Sequence, residues 1–165
     1  MAKGSISIYS GDGKGKSSAA IGRAVQAATE GQNVVIIQFL KERGLEESDF
    51  LKRLEPEIKL FRFEKSGENF ELLPEEKKQE EIGNIKNGIN FAKKVLTTGE
   101  CDLLILDEVL GLVEKNIVDG QELKGMLENR EDTSIILTGI HLPDEICILA
   151  DEVSKIDTVK FKVWE

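Results

Sequence analysis

Ser10-Gly11-Asp12-Gly13-Lys14-Gly15-Lys16-Ser17-Ser18 is the stretch on which the reading of this chain turns. It follows an apolar run, residues 5–9, and opens an alanine-rich segment, residues 16–30, that stops at Gly31. Strand, glycine turn and helix in that order bring backbone N–H groups to face an anion. The common phosphate-loop pattern is G-x-x-x-x-G-K-[ST]. Here Ser10 stands at the first glycine position, and Gly11 and Gly13 carry the tight turn instead. The physical logic is kept. Glycines let N–H groups point at phosphate oxygens, and the helix beginning near Lys16 adds the positive end of its dipole. Lys16 supplies a full charge on a flexible stem, and Ser17 offers a hydroxyl to Mg²⁺. Ser10, Gly11, Asp12, Gly13, Lys14, Gly15, Lys16, Ser17 and Ser18 are therefore expected to bind a nucleoside triphosphate.

The rest of the chain alternates in the same way. Residues 34–39, 103–106 and 134–138 are short, nearly continuous apolar runs, and residues 60–63 make a weaker one. Such runs suit strands covered on both faces of a parallel sheet. Residues 153–156 and 159–163 extend the predicted sheet at its far end. Between the strands, residues 74–98 read as the longest helix. Ile82, Ile85, Ile89, Ala92 and Leu96 share one face, Pro74 suits the first turn, and Gly99 ends it. Asp119 with Glu122 resembles a capping box for a short helix to Glu128. The pattern predicts an α/β fold: a doubly wound, mostly parallel sheet with helices on both faces, like that of P-loop NTPases, as one ATP-binding domain over residues 1–165. The loose stretches 41–48 and 64–73 follow predicted strands, so both belong to the carboxyl edge, where open α/β sheets bind ligands.

Composition narrows the function. Twenty-two basic against 31 acidic residues leave a net charge of −9, which argues against broad nucleic-acid or membrane-surface binding. No apolar run reaches the length of a membrane span, and the N-terminal Met-Ala-Lys-Gly does not begin a signal peptide. A cytoplasmic location is expected. Cys101 and Cys147 form no metal-binding pair with each other or with the lone His141, and read as buried small hydrophobes of a reduced protein. His141 reads as a surface loop residue. Phe61, Phe63 and Phe91 read as core, and Phe70, in a polar loop, as the aromatic that touches a ligand.

A second motif completes the site. Leu103-Leu104-Ile105-Leu106-Asp107-Glu108 ends an apolar strand in two carboxylates. An acid at that place holds Mg²⁺ beside a phosphate loop, directly or through water. Ser17, Asp107 and Glu108 are the candidate metal residues.

On these residues the chain resembles the ATP:corrinoid adenosyltransferases, of the cob(I)yrinic acid a,c-diamide or cob(I)alamin type. That family's loop reads Gly-Asn-Gly-Lys-Gly-Lys-Thr-Thr after Thr or Ser. The likeness continues through Ala19-Ala20-Ile21-Gly22, Gln38-Phe39-Leu40-Lys41, Leu54-Glu55-Pro56, Leu106-Asp107-Glu108, Ile136-Leu137-Thr138-Gly139, Ala150-Asp151 and Val159-Lys160. The resemblance implies transfer of the 5′-deoxyadenosyl group of ATP to the cobalt of a reduced corrinoid, with release of triphosphate. It implies ATP held in the reverse sense to most phosphate-loop proteins, and Mg²⁺ or Mn²⁺ as cofactor. It implies a homodimer, with transient contact with a corrinoid reductase. Co(I) is itself the nucleophile, so no general base is needed. Lys14 and Lys16 suit neutralising the leaving triphosphate, Glu108 matches the family's metal-binding acid, and Gln38, Lys41 and Phe70 join the substrate-binding set. Lys16 and Glu108 are the expected catalytic residues. The chain departs from the family at Leu72, where a tryptophan stands, at Gln26, where an arginine stands with Arg23 one turn earlier, and at Ile140, where another arginine stands. An ATP-binding paralogue without transferase activity and an ordinary P-loop NTPase or kinase stay open as alternatives.

Overall fold

The structure is a computed structural model that describes residues 3–41 and 52–163. Of the loose stretch expected over residues 41–48, all but Lys41 lies outside the described residues. Six parallel strands form one sheet: β1 (Ile6–Ser10), β2 (Val34–Gln38), β3 (Ile58–Arg62), β4 (Leu103–Asp107), β5 (Ser134–Thr138) and β6 (Glu152–Lys155). Their order across the sheet is β3-β2-β4-β5-β1-β6. Among the described residues five α-helices accompany them: α1 (Lys16–Thr29), α2 (Glu75–Thr98), α3 (Val109–Glu114), α4 (Gly120–Glu128) and α5 (Asp144–Cys147).

The strands are apolar on both faces because both faces are covered. Val34, Ile36, Leu103, Ile105 and Ile136 pack with Ala20, Ala24 and Ala27 of α1. Those alanines recur at helical spacing and are small, so α1 lies close to the sheet. Val35, Ile37, Leu104, Leu106, Ile135 and Leu137 face the other way, into a larger core. There α2 contributes Ile85, Ile89, Ala92, Val95 and Leu96, each almost fully buried. Each such Ile or Leu stabilises the fold by about 1.5–3 kcal/mol relative to exposure. Gly88 belongs to this face for a steric reason: a Cβ there would meet the Phe39 ring at 3.0 Å and the Phe63 ring at 3.1 Å.

The helix ends follow local chemistry. Gly99 adopts φ 64 and returns its N–H to Val95 O, which closes α2. Asp119 caps α4 by accepting from Gln121 N at 2.9 Å, one residue short of the pairing a capping box uses. Among the described residues no helix is long and apolar enough to cross a membrane.

One predicted strand is absent. Residues 153–156 do extend the sheet, as β6, but residues 159–163 form no strand. β6 pairs only with β1, in a ladder that stops at Ser10↔Lys155. Ile156 then bonds back to Ser10 O, and the chain turns across the phosphate loop. Val159 and Phe161 are left exposed, so the alternation of apolar residues here serves no sheet face. Cys147 also departs from expectation. It is exposed at the end of α5, while Cys101 is buried and its thiol is pushed up to about 12 by that burial.

Candidate active site

The loop from Ser10 to Ser18 leaves the carboxyl end of β1 and enters α1. Gly11 has φ 107 and Gly15 has φ 108, a region that L side chains avoid. Gly13 is required by crowding instead. A Cβ there would stand 2.6 Å from Ile156 O, and one on Gly11 would stand 2.4 Å from the same oxygen. These contacts correct one detail of the sequence reading. The N–H groups of Gly11 and Gly13 do not face a phosphate position. Gly11 donates to Ile140 O at 3.1 Å and Gly13 to Ile156 O at 2.8 Å. Lys14 N donates to Thr158 Oγ1 at 3.3 Å. The first helical bond runs from Ala19 N to Gly15 O, and among the described residues no acceptor serves the N–H groups of Gly15, Lys16, Ser17 and Ser18. Four donors at a helix start with the positive end of the dipole behind them form an anion cradle. Lys16 Nζ arches over the loop to Gly13 O at 2.7 Å. Asp12 and Lys14 are exposed on the loop's outer side, with Lys14 Nζ 4.0 Å from the centre of the Phe161 ring.

Asp107, at the end of β4, is the hub of a buried polar network. Its Oδ1 accepts from Ser17 Oγ at 2.8 Å and from Thr138 Oγ1 at 2.7 Å. Its Oδ2 lies 3.4 Å from Gln38 Nε2 and 3.4 Å from Lys41 Nζ. Lys41 Nζ also donates to Ser17 Oγ at 2.9 Å. Three strand ends and the first turn of α1 thus converge on one carboxylate, as parallel strands of matched register allow: Gln38 sits opposite Asp107. Gln38 is buried within this network, and its Oε1 is a buried oxygen without a partner.

These groups fit a hard divalent cation. Ser17 Oγ, the Asp107 carboxylate and Gln38 Oε1 are all oxygens, and a Lys41 ammonium already rests against two of them. Among the described residues no cluster of three or more His, Cys, Asp or Glu residues gathers as a metal cage. Mg²⁺ is commonly held by one or two carboxylates together with substrate phosphates, so this donor set suits it.

Glu108 follows in a left-handed conformation, φ 64, with its N–H on Thr138 Oγ1 at 2.7 Å. Glu108 lines a cleft of about 190 Å³ together with Leu40, Lys41, Asn69, Phe70 and Lys115. Burial raises its pKa, and the nearby Lys41 opposes that rise. Phe70 begins a single 3-10 turn, Phe70–Leu72, and is half-buried against the core. Glu71 anchors the turn through Lys115 and Lys78, and Lys115 holds its carboxyl below the usual range. Leu72, where the family carries a tryptophan, is exposed.

The structure thus brings Lys16, Ser17, Gln38, Lys41, Asp107, Glu108 and Phe70 to one edge of the sheet. His141 is exposed beyond β5 and pairs with Glu114 at 3.3 Å, as a surface histidine. Phe61 and Phe63 stack on Phe91 at 4.7 and 5.5 Å, at the margin of the core. Arg23 points to Tyr9 OH at 3.0 Å. Sequence reasoning missed Thr138 as a member of the network. A polar residue ending the apolar run of β5, next to the strand carrying Asp107, was the available signal. It also missed Glu64, whose Oε1 accepts from Leu40 N at 2.8 Å; the stretch 64–73 is legible as part of the carboxyl edge, but nothing in it singles out Glu64.

The model of the family described as ATP:corrinoid adenosyltransferase BtuR/CobO/CobP matches residues 2–165. The corrinoid adenosyltransferase of Escherichia coli K12 is 28% identical over 159 residues, covering 96% of this chain and 79% of that protein. Its Salmonella typhimurium counterpart is 29% identical with the same coverage, and that of Pseudomonas aeruginosa 25% identical over 96% and 77%. Domain III of the Thermotoga maritima replication initiation protein DnaA is similar over 92% of this chain and 54% of that chain, at 18% identity and a TM-score of 0.45, a likeness too weak to carry function. With its phosphate loop, its Asp107 hub and a family match over nearly its whole length, this chain belongs to the ATP:corrinoid adenosyltransferase family.

Proposed function

We infer that this protein transfers the 5′-deoxyadenosyl group of ATP to the Co(I) of a reduced corrinoid and releases triphosphate. The observation that carries the reading is the family match over residues 2–165, on a chain whose helix start and Asp107 network suit a triphosphate. In the reaction the cobalt lone pair forms the Co–C5′ bond. The bond between C5′ and the α-phosphate oxygen breaks, and its electron pair leaves with triphosphate. Cobalt is formally oxidised from Co(I) to Co(III), and no proton has to move.

The chain's own task is therefore positioning and charge stabilisation. The N–H groups of Gly15, Lys16, Ser17 and Ser18 suit the phosphate oxygens, and the ammonium group of Lys16 suits the charge that builds on the leaving group, whereas Lys14 is exposed against Phe161. Lys41 lies beside Ser17 and is suited to the same triphosphate. Ser17 and Asp107 are the residues that would hold Mg²⁺, with Glu108 close by. The cation, when bound, supplies further neutralisation of the triphosphate. Glu108 and Phe70 share the cleft beside this network, which supports Phe70 as the aromatic that meets the nucleoside or the corrin. The single sheet supports one ATP-binding domain over residues 1–165. The family likeness supports a homodimer in the cytoplasm. Co(I) has to be made by a reductase, which supports a transient contact with one.

The test is anaerobic incubation with ATP, Mg²⁺ and chemically reduced cobalamin or cobinamide, following the Co–C bond by absorbance and triphosphate by chromatography. Product with equimolar triphosphate is expected. Orthophosphate or ADP in place of triphosphate would identify a hydrolase or kinase and sink the reading.

A further inference from the structure

Lys41 reaches Ser17 and Asp107 from a segment with an unusual backbone. Leu40, immediately before it, is not glycine, yet it has φ 57. A non-glycine residue in that region persists only where its surroundings hold it there. Two contacts do so. The Leu40 side chain is wedged against α3: a Cβ added to Gly111 would stand 2.9 Å from Leu40 Cδ1. The Leu40 N–H is taken by Glu64 Oε1 at 2.8 Å, from the loop that follows β3.

Glu64 is in turn an unusual choice. It is half-buried, and burial lifts its pKa to about 7, against the lowering by the Leu40 N–H bond and Arg62 and with a smaller rise from Glu81. Glu81 itself accepts from Lys65 N at 3.1 Å and Ser66 N at 3.4 Å, and Arg62 bonds Ser66 O at 3.0 Å, so the start of the loop is fixed from both sides. The carboxyl is therefore presented to Leu40 by a braced segment. A chain of contacts then runs from Glu64 through the Leu40 backbone and Lys41 to the Ser17–Asp107 pair.

We propose that Glu64 is a positioning residue, which fixes the left-handed Leu40 and so delivers the Lys41 ammonium to the triphosphate site. The proposal rests on the reading of Lys41 as an ATP-binding residue. Without the acceptor, Leu40 N–H turns to water or relaxes out of its left-handed conformation, and Lys41 loses its fixed approach.

The test is a double-mutant cycle on the full chain, read as the ATP dissociation constant by calorimetry in Mg²⁺. Lys41→Met weakens ATP about 10-fold, as expected for a charge-assisted contact. Glu64→Met, which keeps length but loses the acceptor, weakens it about 3- to 10-fold, the worth of one hydrogen bond. Glu64→Gln, which keeps an acceptor oxygen, restores wild-type affinity. The double variant Lys41→Met/Glu64→Met binds no worse than Lys41→Met alone, because Glu64 acts through Lys41. A merely structural Glu64 would lower the melting temperature equally in both backgrounds without this coupling. Glu64→Ala repeats the measurement should the methionine variant fail to fold. Unchanged affinity in Glu64→Met, or additive losses in the double variant, overturns the proposal alone. Unchanged affinity in Lys41→Met overturns the role of Lys41 in ATP binding as well.

Discussion

Ser17 Oγ donates to Asp107 Oδ1 across 2.8 Å and joins two residues separated by 90 positions. The bond ties the first turn of α1 to the end of β4. It matters because a carboxylate only accepts, and here its acceptor sites are already aimed. Thr138 holds the same oxygen, and Gln38 and Lys41 hold the other. The carboxylate is thus held in place by four side chains, as the proposed role in electrostatic stabilisation without reorganisation requires.

Asp107→Asn tests this directly. The amide oxygen can still accept from Ser17 and Thr138, so the fold is kept. The amide nitrogen, however, faces the Lys41 ammonium and the Gln38 amide, and the negative charge is gone. The rate of adenosyl transfer at saturating Mg²⁺ should fall by about 10²- to 10³-fold, the usual cost of one preorganised electrostatic group. Thermal melts should change little. A rate within threefold of wild type would show that Asp107 is structural only.

One glycine of the loop and one of α1 give a prediction with opposite signs. At Gly13 a Cβ meets backbone atoms, Ile156 O at 2.6 Å and the Asp157 carbonyl carbon at 2.8 Å, which cannot rotate away. Gly13→Ala should destabilise the protein by about 1–3 kcal/mol and weaken ATP binding, since residues 156–158 brace the loop. At Gly22, inside α1, nothing lies within 4 Å of an added Cβ. Gly22→Ala should stabilise the protein by about 0.5–1 kcal/mol. Urea midpoints of the two variants should move in opposite directions; shifts of the same sign would contradict the packing described for the loop.

These contrasts bear on what the chain's residues reveal before folding. The apolar runs of β2, β4 and β5 and the glycine turn are legible because hydrophobic pattern and turn chemistry are local properties. Gly11 and Gly13 are legible as necessary, but the reason for them is not. Their N–H groups serve Ile140 and Ile156, partners more than a hundred residues away that no spacing announces. Residues 159–163 misled for a related reason: alternation reports what a strand could bury, and only the sheet decides whether a partner is there. Leu40 and Glu64 lie in stretches the sequence singles out, but their contact was illegible, because a left-handed leucine is stabilised by tertiary contacts and not by its own preferences.

Glu64 also makes stability depend on pH in a predictable direction. Its folded-state pKa, about 7, lies above the ordinary glutamate value of 4.5, chiefly because burial disfavours the charged form. Between those values the folded state binds the extra proton, so this group's contribution is fully present below the unfolded pKa. It is lost as pH rises through about 7. Glu64→Gln removes the titration. Compared with wild type, the variant should be more stable at pH 8, by roughly 2 kcal/mol, and nearly equal at pH 4.5. Urea unfolding at both pH values checks this. An equal difference at the two would mean that folding does not raise the pKa of this carboxyl.

Phe70 offers a test that distinguishes the two proposed substrates. Its ring lies in the cleft beside Glu108 and Lys41, while its 3-10 turn is held from outside by Glu71 with Lys115 and Lys78. Among the described residues no hydrogen bond or ion pair joins it to Asp107 or Ser17, so removing the ring leaves that pair as it is. Burying an aromatic face against a ligand contributes about 0.5–1.5 kcal/mol beyond area, on top of the apolar surface covered. Phe70→Ala should therefore raise the KM for the corrinoid about 10-fold and leave the ATP dissociation constant within twofold. Steady-state kinetics with ATP saturating, together with calorimetry for ATP alone, separates the two effects. A loss confined to ATP would move Phe70 to the nucleoside side of the cleft, stacked on adenine. An unchanged KM for both substrates would leave the exposed Leu72, two residues on, as the better candidate for the corrin-facing position of this loop.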